Sequence, residues 1–202
     1  MKNSLLLIAV FVALWLGLLS STRADAIPYP TSGTENSTHY TFTATTTGEI
    51  GAYFYNQSAS YTNTLSLLVN GVITPESSAG VLNNHTSSMG DFVSLGFVHA
   101  GDVLTFQLNV ITTGNTLYSD SALNADGVNH VYSTSFFGDA ALGIPAGTYV
   151  GFEDIYDGGD FDYNDETFVF TNISPVPEPE TYAMLLAGLG FIAFTIRRRR
   201  TA

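Results

Sequence analysis

Val103-Leu104-Thr105-Phe106-Gln107-Leu108-Asn109-Val110 decides the fold class. Leu104, Phe106, Leu108 and Val110 alternate with Thr105, Gln107 and Asn109, so one face is apolar and the other polar. Period two is the mark of a half-buried strand, since successive side chains leave an extended backbone on opposite faces. Working upstream, Phe92–Val98 is a second strand, and Thr64–Val69 a third that ends at Asn70-Gly71, the strongest short hairpin signal. Before these, Tyr40, Phe42 and Ala44 alternate with His39, Thr41 and Thr43. After a turn at Thr47-Gly48, Ile50, Ala52 and Phe54 alternate with Gly51, Tyr53 and Tyr55, which predicts a hairpin with one buried face.

Downstream, His130–Phe137, Thr148–Phe152 and Thr167–Ile173 complete a set of about eight short strands. Gly, Asn and Asp turns separate them, and no helical period or internal repeat interrupts the series. The expected fold is all-β: a β-sandwich over residues 39–174, for which a jelly-roll order is one possible arrangement. Residues 27–38, rich in Pro, Ser, Thr and Gly, read as a flexible leader.

The two ends carry addresses. Lys2, the apolar run Leu5–Leu19, polar Ser20-Ser21-Thr22 and then Ala24-Asp25-Ala26 describe a signal peptide over 1–26. At the other end an apolar segment, 182–196, is followed by Arg197, Arg198, Arg199 and Arg200. Fifteen helical residues reach about 22 Å, short of a hydrocarbon core of roughly 30 Å, so this is a short membrane span. The arginines place the 197–202 tail in the cytoplasm and everything upstream outside. Between domain and span lies a 175–181 linker containing Val176-Pro177-Glu178-Pro179-Glu180-Thr181.

This linker, the short span and the arginine cluster resemble the PEP-CTERM sorting signal. The resemblance implies an exosortase as partner and processing at Pro177, Glu178 and Pro179. It also implies a bacterium with an outer membrane that makes exopolysaccharide. The protein would be exported, held briefly in the inner membrane through its C-terminal helix, and then displayed at the cell surface or released.

Composition narrows the function. All six Lys and Arg residues (Lys2, Arg23 and Arg197 to Arg200) lie in the terminal signals, while 15 of the 18 acidic residues fall within 27–176. Such a domain cannot neutralise phosphates, which excludes nucleic acid and anionic lipid surfaces as partners. It can form no salt bridge except through histidine. The absence of cysteine removes disulfides, thiol catalysis and thiolate metal sites.

The charge is concentrated. Residues 153–166, Glu-Asp-Ile-Tyr-Asp-Gly-Gly-Asp-Phe-Asp-Tyr-Asn-Asp-Glu, hold seven carboxylates in 14 positions. A connection of this length is uncommon in a compact domain unless functional or disordered. A hard cation would relieve the repulsion, because Ca²⁺ takes six to eight oxygen ligands from carboxylates, amides and carbonyls. Asp160, Asp162 and Asn164 stand at i, i+2 and i+4, and Gly158-Gly159 permits a turn that returns Asp154 and Asp157 toward them. With Asp165 these six are the candidate ligands; a solvated acidic turn is the alternative. The EF-hand template fails, with Asp165 at its sixth position and Thr171 at its twelfth. A glycine-rich calcium repeat fails as well, since Phe161 stands where it needs Gly.

Gly151-Phe152-Glu153-Asp154 followed by Gly158-Gly159-Asp160-x-Asp162-Tyr163-Asn164-Asp165 resembles the closing signature of a β-rich domain of unknown function found in bacterial exoproteins. Leu123-Asn124-x-Asp126-Gly127-x-x-His130 resembles that family's preceding segment. The family implies a calcium-associated extracellular module without established catalysis, and it adds Asn124 and Asp126 as further ligand candidates, although Asp-Gly alone is a common turn.

Enzyme signatures are missing. His39, His85, His99 and His130 are scattered, and no Gly-x-Ser-x-Gly elbow occurs. A glycosidase needs two carboxylates flanking a cleft, whereas here they crowd into one loop. Tyr53 and Tyr55, on the face opposite the apolar one, offer a stacking platform for sugar rings, or else pack inside a covered face. The sequence thus predicts a non-enzymatic, Ca²⁺-stabilised module with a structural or adhesive role in the exopolysaccharide or biofilm matrix. A carbohydrate-binding module is the alternative, and an extracellular hydrolase ranks third.

Overall fold

A computed structural model describes residues 26–177 together with Leu189. The expected signal peptide and apolar tail lie outside the described residues, and among the described residues no helix is long and apolar enough to cross a membrane. Eleven strands form among the described residues: β1 (Tyr40–Ala44), β2 (Gly48–Gln57), β3 (Asn63–Val69), β4 (Val72–Ile73), β5 (Phe92–Val98), β6 (Val103–Val110), β7 (Asn115–Tyr118), β8 (Val131–Phe136), β9 (Gly147–Phe152), β10 (Glu166–Thr171) and β11 (Ile173–Pro177). They make two antiparallel sheets, ordered β11-β1-β6-β3-β4, with β7 also on β6, and β5-β2-β10-β9-β8.

The sheets face one another across a core that follows the alternation. Phe42, Leu65, Leu67, Phe106 and Leu108 from the first sheet meet Ile50, Phe54, Leu95, Phe152, Phe168 and Phe170 from the second. The rings of Phe106 and Phe170 stack across the interface with centroids 3.9 Å apart. The Asn70-Gly71 hairpin forms between β3 and β4, with both turn residues at positive φ as a two-residue hairpin turn requires.

Three expectations about topology are corrected. Residues 39–55 do not form a hairpin: β1 pairs with β11 and β6, while β2 pairs with β10 and β5 in the other sheet. Likewise Thr167–Ile173 is not one strand, because the chain changes sheet at Asn172, whose φ is 65°. Asn172 pins both crossings. Its Oδ1 accepts the Thr45 hydroxyl and the Thr46 N–H, each at 2.8 Å, and its Nδ2 donates to the Thr46 carbonyl at 3.0 Å. Nor is the order that of a jelly roll, since β8, β9 and β10 run as a meander within one sheet.

The segment expected as a flexible leader is laid over the outer face of the β8–β9–β10 sheet. Tyr132 donates its hydroxyl to the Pro28 carbonyl at 2.6 Å, and the Tyr29 and Tyr149 hydroxyls bond to one another. Asn129 donates through Nδ2 to the carbonyls of Asn36 and Thr38, both at 2.9 Å. The apolar residue Ile27 joins a second small core with Phe136, Ile144, Tyr149 and Val169. What a composition rich in Pro and Ser conceals is a strap held by side chains far along the chain.

Candidate metal centre

The loop starts where β9 runs out. Glu153 still donates its N–H to the His130 carbonyl at 2.9 Å, and the chain then coils tightly before β10 begins. Asp157, Gly158, Gly159, Phe161 and Tyr163 all take positive φ. Two of these are aromatic, for which the left-handed region is costly, so the surrounding contacts must hold them there. Tyr163 supplies one such contact. Its ring is buried, and its hydroxyl donates to the Asn129 carbonyl at 3.2 Å while accepting the Asn36 N–H at 2.7 Å. The strap contributes another, with Gly33 N–H donating to the Asp160 carbonyl at 2.6 Å.

The coil closes three carboxylates on one another. Oxygens of Glu153, Asp160 and Asp162 all lie within 4.8 Å of one another, with Glu153 buried, Asp162 half-buried and Asp160 exposed. Glu153 accepts the Tyr163 N–H through Oε1, while its Oε2 is buried with no hydrogen-bond partner. Burial, reinforced by the charges of Asp165, Asp160 and Asp162, pushes the Glu153 carboxyl up to about 8. Burial also raises Asp162, with Asp160 adding to it. A divalent cation coordinated by oxygens would fit this donor set, giving Oε2 a partner and offsetting three charges.

The six predicted ligands separate. Asp160 and Asp162 join Glu153, and Asn164 donates its backbone N–H to Asp162 Oδ1 at 3.1 Å, bracing the cluster. Asp154 and Asp165 go elsewhere: Asp165 Oδ2 accepts the Asp154 N–H at 3.0 Å, and Asp154 Oδ2 accepts the Asn63 amide at 2.7 Å. Asp157 is exposed, and its N–H donates to Asp126 Oδ2 at 2.9 Å. Glu153 was not among the sequence candidates. Its signal lay in its place one residue beyond a buried strand, where alternation turns it to the outer face.

Asn124 and Asp126 lie outside the three-carboxylate cluster and brace the region through hydrogen bonds. Asn124 spends both ends of its amide on the backbone of Tyr118 and Val128. Asp126 Oδ2 lies 2.9 Å from His130 Nε2, and Oδ1 accepts the Val128 N–H at 3.1 Å. Burial opposes ionisation of Asp126, but the hydrogen bonds from Asp157, Val128 and His130 outweigh it and hold the carboxyl below its ordinary range.

Tyr55 packs edge-on against Phe136 and Tyr149, with centroids 5.2 and 5.7 Å away, and Tyr53 lies 4.8 Å from Phe92. Both tyrosines are half-buried, so they are part of an aromatic layer and not a bare platform.

Residues 72–172, half of the chain, match the family model described as a domain of unknown function, DUF4114. The chain belongs to the DUF4114 family. The matched DUF4114 segment begins at β4 and closes just after β10, so it contains the whole acidic coil, while β1, β2 and β3 of the same sandwich precede it. Residues 175–200 match the PEP-CTERM protein-sorting motif, a recognition signal for exosortase processing that marks this DUF4114 protein for export through the cell envelope. No curated protein and no solved structure matches the chain.

Proposed function

We propose that this is a non-catalytic, extracellular module whose acidic coil is closed by Ca²⁺ held by Glu153, Asp160 and Asp162, serving a structural or adhesive role in the exopolysaccharide matrix. One observation carries the cation: Glu153 Oε2 is buried and unpartnered amid carboxylates, in a chain with no Lys or Arg between Arg23 and Arg197. Calcium suits the site better than magnesium because a coiled loop of carboxylates and carbonyls tolerates irregular geometry, whereas Mg²⁺ demands a near-ideal octahedron. The sorting motif supports an address outside the cell. In this reading the protein is held transiently in the inner membrane by residues 182–196, and an exosortase then acts at Pro177-Glu178-Pro179.

The test is thermal unfolding of the exported protein in Ca²⁺, in Mg²⁺ and in chelator. A ligand bound only to the native state stabilises by RT ln(1 + [L]/Kd), about 2.7 kcal/mol at a hundredfold excess over Kd. A Ca²⁺-specific rise in midpoint that Asp160→Asn or Asp162→Asn removes supports the reading. Equal midpoints in all three conditions would leave a solvated acidic turn with Glu153 protonated.

Sugar binding remains the second reading, favoured by the exposed Phe92 beside Tyr53, which extends the aromatic layer to the surface.

A further inference from the structure

Glu153 and Asp154 are neighbours in sequence but serve opposite faces. The side chain of Phe152 points into the core between the sheets. Alternation therefore sends Glu153 outward to Asp160 and Asp162, and Asp154 inward. The inward side is equally polar. Asn63, on the same face of β3 as Leu65 and Leu67, donates its amide to Asp154 Oδ2 at 2.7 Å and thereby links the two sheets. Glu166 shares the inner face of β10 with Phe168 and Phe170, directly opposite Phe152 on one neighbour and Gln57 on the other. Asn63 and Glu166 are fully buried and Asp154 is 2% exposed.

Hydrogen bonding at this end of the sandwich is incomplete in one sense only. Among the described residues, the buried side-chain atoms without partners are Gln57 Oε1, Asn63 Oδ1, Glu153 Oε2 and both oxygens of Glu166. Every one is an oxygen, and none is a donor lacking an acceptor. Protonating Glu166 would supply a single O–H, and amide oxygens cannot be protonated to help. Orphaned buried acceptors are costly, and a buried carboxylate pair without counter-charge more so. The shortage is of positive charge.

We propose a second divalent-cation site, enclosed between the two sheets and distinct from the outer cluster, taking oxygens from Asn63, Asp154, Asp165 and Glu166. Carboxylates mixed with an amide oxygen are the donor set of a hard cation such as Ca²⁺. Asp165, on the loop, is tied to the Asp154 backbone, whose N–H it accepts through Oδ2 at 3.0 Å. The cation would clamp β3 of one sheet to the β9–β10 end of the other. It also draws one ligand, Asn63, from outside the segment that the family model matches.

The test is the number of Ca²⁺ equivalents bound by the full chain, counted by calorimetry and by native mass spectrometry after a chelator wash and refilling. The wild type should bind two. Glu166→Gln keeps the shape and removes the charge, so it should bind one fewer, whereas Asp160→Asn with Asp162→Asn should lose only the outer ion. One wild-type equivalent that Glu166→Gln abolishes and the outer double variant retains would support the inner site and dismiss the outer. One equivalent that survives Glu166→Gln, or no binding at all, would overturn the inner site. Should Glu166→Gln not fold, Asp154→Asn replaces it, and a wild-type count below two that the outer double variant reduces to zero is the overturning result.

Discussion

The α-carbon of Gly159 packs against Glu153 Oε2, so that a methyl group built there would stand 3.2 Å from that oxygen. The backbone at Gly159 (φ 59°, ψ −124°) lies outside even the left-handed region that other residues visit. Gly159→Ala should therefore destabilise the domain by about 1–3 kcal/mol and push Glu153 off the cluster. Chemical denaturation would show the loss. Ca²⁺ titration of the same variant should show weakened binding even under conditions where the fold persists.

Acidic pH should stabilise the cation-free domain. In the fold the Glu153 carboxyl is raised to about 8 and that of Asp165 to about 7, by burial first and by neighbouring carboxylates after it. In the unfolded chain these groups titrate near 4.5 and 3.8. Folding therefore takes up protons between these limits. The stabilisation is complete below the lower values and fades as pH rises through 7 and 8. Each such group contributes a slope of up to about 1.4 kcal/mol per pH unit. Denaturation midpoints measured in chelator should fall from pH 5 to pH 8, and saturating Ca²⁺ should flatten that fall because the metal displaces the protons.

Asn129→Ala should release the strap. The side chain holds the carbonyls of Asn36 and Thr38 at once, and its backbone N–H bonds Glu35 Oε1 at 2.8 Å. Losing both amide bonds leaves acceptors unpaired and should cost about 1–3 kcal/mol. Limited proteolysis should then cut within residues 29–38 while the strands remain intact. Equal protease resistance in wild type and variant would show that the strap is held by its tyrosines alone.

The tyrosine layer separates binding from packing. Tyr55→Ala removes contacts to Phe136 and Tyr149 and should lower stability by about 1–3 kcal/mol, whereas Tyr55→Phe should not. Tyr53→Ala, which loses one aromatic neighbour, the exposed Phe92, should lower the midpoint less than Tyr55→Ala. Glycan affinity lost in Tyr53→Ala under conditions where the fold persists would establish sugar binding. Affinity lost only along with the midpoint in Tyr55→Ala would make the layer structural.

Processing at the sorting motif predicts that protein recovered from the cell surface lacks the arginine cluster at 197–200. Intact-mass measurement of surface material checks this directly, and a mass that includes the tail would exclude processing there.

Much of the fold was legible because strand period is a local property. Val103–Val110 and Phe92–Val98 are β6 and β5 to the residue. What period cannot convey is the partner. Thr47-Gly48 reads as a hairpin turn, yet the chain there passes to the other sheet, with Asn172, 126 residues from Thr46, anchoring the crossing. The site divides in the same way. Asp160 and Asp162 were visible from their spacing within one loop. Glu153 needed the loop's coil to bring it to them, and Asn63 needed a sheet that the acidic stretch does not belong to.

The outermost strand of the first sheet, β11, carries Pro175 and Pro177 opposite Phe42 and Tyr40. Residues two apart turn their backbone nitrogens the same way, and proline is tolerated in a sheet only where that nitrogen faces away from a partner strand. The open margin of the sandwich therefore offers carbonyls but is missing alternate donors, and a second copy arriving edge to edge cannot zip onto it. The prolines that introduce the sorting signal thus also keep the domain from polymerising through its last strand.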